Sequence, residues 1–278
     1  MHDHQFDHTD GSLRDFPEVG LFRCSACDLV VHDTDVSDSV SYEAGTMHEW
    51  SKSWGDRNPP DTDFARRVSS LELLVEGTTQ TKHLDYGCGS GDVVKALRDK
   101  GIKSFGFDPE ISFVSKDLVE KELVVGNDND LQDGSFGLIS LFHVIEHIYQ
   151  PDELLKRLHR LLVSGGNLVI ETPNSNDALA TTYGCEPFQR FTYWSHHPYV
   201  FSNFHLEELL TDNGYAIEVS TQVQRYGLAN HIYWLSKGLR GGHSVWPDLF
   251  SSKLDEQYGA ELISAGTADT IWIVAKKV

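Results

Sequence analysis

Between positions 82 and 223 the sequence alternates short apolar runs with segments of helical period, and this alternation constrains the fold more than any other feature. Residues 82–86 read as a strand, 92–100 as a helix, 104–107 as a strand, 111–120 as a helix, and 122–125 and 136–142 as strands. A helix opens at Pro151, where Asp152 and Glu153 in the first turn suit the helix dipole. It runs to 162 and is ended by Ser164-Gly165-Gly166, after which 167–171 is a strand. Ser202 caps a helix that stops at Asn213-Gly214, and strands follow at 215–223 and 270–275. A parallel sheet covered by helices on both faces produces this order. With 278 residues, 40% of them apolar, the chain is long enough for one such domain with additions.

The additions lie at the start. Residues 1–60 are irregular by pattern and hold a Cys24-x-x-Cys27 pair beside Leu29-Val30-Val31, then Tyr42, Trp50 and Trp54. Asn58-Pro59-Pro60-Asp61 marks a break and a helix start. Phe64, Val68, Leu71 and Val75 then recur at helical spacing as far as Gly77. The expected division is an N-terminal extension, 1–60, and a main domain, 61–278. A net charge of −19 with no basic run excludes a nucleic-acid backbone as the main partner. No apolar stretch approaches the roughly 18 residues that cross a bilayer, so no membrane is expected. The first ten residues, polar and rich in His and Asp, resemble neither a signal peptide nor a transit peptide. With only four cysteines, a reduced, cytoplasmic protein is expected.

The strongest local signal is Leu84-Asp85-Tyr86-Gly87-Cys88-Gly89-Ser90-Gly91, which follows a strand and opens a helix. Glycines there permit a sharp turn and close approach of a ligand to the main chain. Asp108 ends the next strand, where a carboxylate can accept hydrogen bonds from ribose hydroxyls. The G-x-G-x-G spacing is tighter than a dinucleotide fingerprint and suits a cationic, amino-acid-bearing ligand, with Asp85 facing its ammonium group.

These segments resemble the Rossmann-like, S-adenosylmethionine-dependent methyltransferases. Leu84 to Gly91 is similar to the family's first motif and Gly106-Phe107-Asp108-Pro109 to its second. Val125-Gly126-Asn127-Asp128 takes the place of the adenine turn, with Asn127 where the family often has Asp. Asp133-Gly134-Ser135-Phe136-Gly137 is a partial match, Ser140 to His147 resembles the fourth motif, and Leu162 to Leu168 resembles the following Gly-Gly turn. The resemblance implies an α/β, doubly wound, mostly parallel sheet with an antiparallel last strand, plus the small extension. It implies S-adenosylmethionine held by Asp85, Tyr86, Gly87, Cys88, Gly89, Asp108, Pro109, Asn127 and Asp128, with Phe142 packed against it. The product would be S-adenosylhomocysteine.

Glu171-Thr172-Pro173-Asn174 and His197-x-x-x-Phe201-Ser202 resemble members acting on sugars and secondary metabolites. That subgroup often begins with a zinc module of two Cys-x-x-Cys pairs. Only the pair resembling the second half is present, so Cys24 and Cys27 are read as a remnant hairpin with free thiols. Zinc is the alternative, with the missing ligands drawn from His2, His4 or His8. Cys88 and Cys185 are read as non-ligands.

Methyl transfer to a hydroxyl or acidic carbon needs alignment, exclusion of water and a general base. Histidine suits that task near neutral pH. His143, Glu146 and His147 follow the fourth-motif strand, while His196 and His197 lie near Tyr193, Trp194 and Tyr199. His197 is the first candidate for the base, because the resemblance to sugar C-methyltransferases matches it to one, and His147 is the second. Trp50, Trp54, Tyr193, Trp194 and Tyr226 suggest a ring or sugar face for a small-molecule acceptor. Two other readings stay open: an inactive S-adenosylmethionine-binding protein, and a zinc hydrolase using His143-x-x-Glu146-His147 as H-x-x-E-H. Some quinone O-methyltransferases of the family use a divalent metal near Glu146 and His147, but His143 replaces a carboxylate, so no metal is expected there.

Overall fold

The computed structural model describes residues 4–32, 61–76 and 82–278. The expectations placed on His2, Tyr42, Trp50, Trp54, Gly77 and the 58–60 break therefore lie outside the described residues. The elements are β1 (Phe6–Ser12), β2 (Gly20–Cys24), β3 (Val30–His32), α1 (Asp61–Glu76), β4 (Lys82–Tyr86), α2 (Asp92–Asp99) and β5 (Lys103–Phe107). Then come α3 (Lys116–Glu120), β6 (Val124–Val125), β7 (Phe136–Phe142), α4 (Pro151–Leu161), β8 (Leu162–Pro173), α5 (Glu186–Thr192), β9 (Tyr199–Val200) and α6 (Asn203–Asp212). The chain ends with β10 (Tyr215–Val223), α7 (Leu228–Lys237), α8 (Gly242–Val245), α9 (Ser252–Ser264) and β11 (Thr270–Lys277).

The main sheet runs β10-β11-β8-β7-β4-β5-β6. The β6-β5-β4-β7-β8 pairs are all parallel, and β11 is antiparallel to both neighbours, as expected. Because β4 neighbours both β5 and β7, the chain order reverses there, and a crevice opens beyond its carboxyl end. The strand interiors are apolar on both faces. Ile139, Leu141, Ile170 and Ile273 pack with Leu154, Leu155 and Leu158 of α4 and Leu206 and Leu210 of α6. On the other face Leu138, Val169, Trp272 and Val274 pack with Val68 and Leu71 of α1 and Val93 and Leu97 of α2. Phe64, counted on the apolar face of α1, is 40% exposed.

Several segments differ from the sequence reading, among them the stretch between β10 and β11, where α7, α8 and α9 form. The extension is a sheet in which β1, β2 and β3 form antiparallel pairs and β9 completes the edge, Val30 opposite Val200. Most of β1 is exposed and shows no apolar alternation, so pairing rather than burial makes it a strand. The helix expected over 111–120 is a short 3-10 turn followed by α3. Between them the Ser115 N–H donates to the Ser90 carbonyl of the glycine loop, 3.1 Å away, which withdraws it from a helical ladder. The Gly165-Gly166 segment bends within β8 instead of preceding it, with Gly165 at φ 70 and a register shift against β7. Among the described residues no helix is long and apolar enough to cross a membrane.

Candidate active site

At the end of β4 the glycine loop is built by backbone conformations that side chains resist. Gly87, Gly89 and Gly91 have φ of 80, 52 and 84, all left-handed. A Cβ on Gly87 would lie 2.5 Å from Val144 Cγ2, which shows how tightly the loop abuts the segment after β7. A Cβ on Gly89 would meet nothing within 4 Å, so this glycine borders open space. The Asp108 carboxylate holds the loop from β5, accepting the Gly89 N–H at 2.8 Å and the Glu110 N–H at 2.9 Å. Pro109 lies exposed at the following bend. The turn after β6 comes close, with the Cβ position of Gly126 3.9 Å from the Asp108 carbonyl oxygen. There Asn127 spends its side-chain oxygen on the Asn129 N–H, while Asp128 is tied to Arg157 at 2.7 Å. Tyr86 packs on Phe107 with ring centroids 4.5 Å apart, and burial pushes the Cys88 thiol up, making it a packing group.

Asp85 sits beneath this loop, buried, where Ser140 Oγ donates to it at 2.7 Å. Burial pushes its carboxyl up to about 6, against the lowering effect of Ser140 and Arg67. Because the Ser140 proton goes to Asp85, His83 Nε2 donates to Ser140 at 2.9 Å, and His83 Nδ1 accepts from Ser104 at 2.8 Å. Burial holds His83 neutral, down at about 3. A row of polar groups thus crosses three adjacent strands under the loop.

The second half of the site follows β7. His143 has φ 57, and its Nδ1 lies 3.2 Å from Glu146, which also accepts from Thr172 at 2.9 Å. Burial opposes ionisation of Glu146, yet the hydrogen bond from His143 and the charges of the surrounding histidines hold it down at about 2. His147 Nδ1 is 2.8 Å from the His196 carbonyl and His197 Nδ1 is 3.1 Å from the Thr192 carbonyl. A carbonyl only accepts, so both Nδ1 atoms carry protons, and in the neutral rings both Nε2 atoms are lone pairs. Burial lowers the pKa of both histidines, strongly for His197. Their rings lie 4.7 Å apart, and one ligand atom each of Glu146, His147 and His197 fall within 4.8 Å of one another. His143 is outside this trio, and the stretch is a 3-10 turn instead of a helix, so the H-x-x-E-H geometry of a zinc hydrolase is not formed.

A charged cluster closes the crevice over β8. Glu171, fully buried, accepts from Arg66 and, at 3.0 Å, from Arg67 Nε, and lies 3.3 Å from His143 Nε2. Arg66 also donates to Asp63 at 2.6 Å, and Arg225 pairs with Asp63 at 3.2 Å. Burial opposes the charge on Glu171, but His143, Arg67 and Arg225 hold its carboxyl well below the usual range. Phe142 stacks on Trp272 at 5.9 Å with the Arg67 guanidinium 5.0 Å from its ring.

The structure therefore brings Asp85, Gly87, Gly89 and Asp108 together at one edge, where Gly87 abuts Val144, the residue after His143 in the segment that leads on to Glu146 and His147. Trp194 stays with the histidines, 5.4 Å from the His197 ring. Tyr193 instead belongs to the core of the N-terminal sheet, with Leu13, Leu21 and Val30. His83, Asp63, Arg66, Arg67 and Arg225 are not marked by the sequence reading, and Ser140 enters it only as the first residue of the fourth motif. The signal for three of them is Asp63-x-x-Arg66-Arg67, acid and bases at i,i+3 and i,i+4 of one helix.

Known proteins share the domain and the fold. A family model described as "Methyltransferase domain" matches residues 57–219, more than half of the chain. A ubiquinone biosynthesis O-methyltransferase of Pseudomonas aeruginosa (strain LESB58) is 27% identical over 154 residues, 52% of this chain and 66% of that protein. A tRNA U34 carboxymethyltransferase of Helicobacter acinonychis (strain Sheeba) is 31% identical over 160 residues, 52% of this chain and 61% of that protein. The chain thus spans less than two thirds of the length of these curated relatives. The solved structure of a SAM-dependent methyltransferase from Archaeoglobus fulgidus shares the fold, with TM-score 0.54, 17% identity, and 84% of this chain and 100% of that one covered.

Proposed function

The chain belongs to the methyltransferase domain family, and from that premise we propose that it transfers the methyl group of S-adenosylmethionine to an oxygen or carbon of a small molecule, with His197 as general base. The acceptor class is a sugar, quinone or secondary metabolite. When bound, S-adenosylmethionine supplies an electrophilic methyl group on a sulfonium that is already a good leaving group. The chain's own groups fit it. The open space at Gly89 admits a ligand against the main chain, and Asp108, already holding the loop, keeps acceptor capacity for ribose hydroxyls. Asp85 supplies a buried negative charge for an ammonium group once it is ionised.

The observation that carries the reading is the neutral pair His147 and His197, reached by the segment whose Val144 abuts the glycine loop, with both Nδ1 protons already committed to carbonyls. Each ring can accept a proton only at Nε2, the state a general base needs. Glu146, kept ionised, stabilises the imidazolium that forms. Both rings are partly buried, and Trp194 provides an aromatic wall. The charge of −19 favours a small acceptor over RNA, although one relative is named for tRNA.

The test is calorimetric titration with S-adenosylmethionine and S-adenosylhomocysteine, followed by turnover on a panel of sugars, quinols and phenols. Binding in the micromolar range, lost in D108A, is expected. H197A is expected to lower kcat by about 10²–10⁴-fold with cofactor affinity unchanged, the range general-base catalysis supplies. Binding without turnover on any acceptor, with H197A and H147A indistinguishable from the parent, would mean a protein that keeps the cofactor fold without catalysis. No binding by the folded protein would end the methyltransferase reading.

A further inference from the structure

The Cys24-x-x-Cys27 pair closes the β2–β3 hairpin in a tight turn. The Cys24 N–H donates to the Leu29 carbonyl at 2.9 Å, and the Asp28 N–H returns to the Cys24 carbonyl at 2.9 Å, with Asp28 at φ 59. Both cysteines are buried and neither is in a disulfide. From the chain's start, His4 reaches over them, its Nδ1 3.4 Å from Cys24 Sγ and 3.7 Å from Cys27 Sγ.

These separations match those of ligands around one ion. Tetrahedral zinc with bonds of about 2.3 Å to sulfur and about 2.05 Å to nitrogen sets neighbouring S and N atoms about 3.6 Å apart. All three ligand atoms fall within 4.8 Å of one another. On one side of the group lies α6, whose His205 ring meets that of His4 at 5.1 Å. We infer that His4, Cys24 and Cys27 bind a structural zinc ion, with the fourth position on the side of α6.

Binding converts two thiols to thiolates and releases their protons to solvent; no bond to carbon and no redox step is involved. The ion would staple a small sheet whose own apolar cluster is short. That sheet is fastened to the rest of the chain in two places, the second of them beside the candidate active site. Its β2–β3 turn is fastened to α6, because Ser202 Oγ donates to the Cys27 carbonyl while accepting the His205 N–H at 3.1 Å. Its β1–β2 loop sets Arg14 4.5 Å over the Trp194 ring and lets Asp15 accept the Ser195 N–H at 3.0 Å, next to His196 and His197. The zinc site is therefore a distant support for the acceptor side, and it stands whether or not His197 is the base.

The experiment is elemental analysis of the full chain, purified without a histidine tag and dialysed against micromolar zinc, beside C24S, C27S, H4A and H8A. One zinc per chain is expected in the parent and in H8A, since the His8 ring packs instead on Phe22. C24S and C27S should lose that zinc, and H4A should bind it about tenfold or more weakly, at least the effect of losing a partner that merely orients a ligand. Cobalt substituted into the parent should give an intense thiolate-to-cobalt charge-transfer band that C24S lacks. If the cysteine variants fail to fold, the parent alone decides: a chelator should lower its Tm, and zinc should restore it. Reduced parent protein that takes up no zinc, cobalt without the charge-transfer band, or H4A binding zinc as the parent does, would overturn the site.

Discussion

At the ends of β4 and β5 the site is made of main chain, whereas beyond β7 and β8 it is made of side chains held by other side chains. The first half needs glycines at positive φ and one carboxylate on the loop's N–H groups. The second needs His147 and His197 oriented by distant carbonyls, and Glu171 buried among arginines from α1 and the segment after β10. A backbone-built half is fixed by local conformation; a side-chain-built half depends on every partner being present. Changes in the second half should therefore cost more stability, and changes in the first should be felt mainly by the ligand.

The largest expected effect is at Glu171. E171Q keeps the shape but removes the negative charge that Arg66 and Arg67 share. Breaking a buried ion pair on one side costs about 3–5 kcal/mol, to be read from chemical denaturation at neutral pH. Because the folded carboxyl lies well below its ordinary value of 4.5, its contribution is complete above that value and is lost as the pH falls far below it. The parent's advantage over E171Q should therefore shrink in acid. A cost under about 1 kcal/mol, typical of a solvated pair, would erase the contrast between the halves.

The same contrast explains what the sequence revealed. The glycines at 87 and 89 were legible as a turn because a loop closed by backbone conformation leaves its residue types in one short stretch. The sheet was legible for a related reason: strands buried on both faces, such as β7, are apolar along nearly their whole length, Ser140 being the exception there. The partners of His147 and His197 were not, because a carbonyl at position 192 or 196 has no residue signature. Nor does sequence spacing bring Arg225 to Asp63 or His4 to Cys24; only the tertiary fold does. The β1 strand was hidden because its exposed residues are polar and its order comes from pairing with β2.

A smaller effect of opposite sign is expected at Asp85. Its folded carboxyl is raised from 3.8 to about 6 by burial, so the folded state holds a proton that the unfolded state has lost between those values. That proton-linked stability is complete below 3.8 and is lost as the pH rises through 6, leaving a cost of up to roughly 3 kcal/mol at higher pH. D85N should therefore stabilise the ligand-free protein by about 1–3 kcal/mol at pH near 8 and by almost nothing near pH 4. Affinity for S-adenosylmethionine should move the other way, weakening in D85N and, in the parent, as the pH falls below about 6. Thermal melts and titrations across that range measure both. Equal stability changes at the two pH values would mean that the carboxylate is not the group responsible.

The smallest effect on the fold is expected at Gly89, and it separates the halves most sharply. A Cβ there meets no protein atom within 4 Å, so only the left-handed φ of 52 opposes alanine. That conformation costs a side chain roughly 1–2 kcal/mol, and G89A should fold with a Tm only a few degrees lower. The methyl group would project into the space proposed for the cofactor. Its affinity should fall about tenfold or more, which is about 1.4 kcal/mol of binding free energy. Turnover at saturating cofactor should be nearly preserved, because the His147–His197 pair is untouched. H197A should give the mirror image, with cofactor affinity intact and kcat lost. Should G89A bind S-adenosylmethionine as tightly as the parent, the open space beside the loop is not where the cofactor lies.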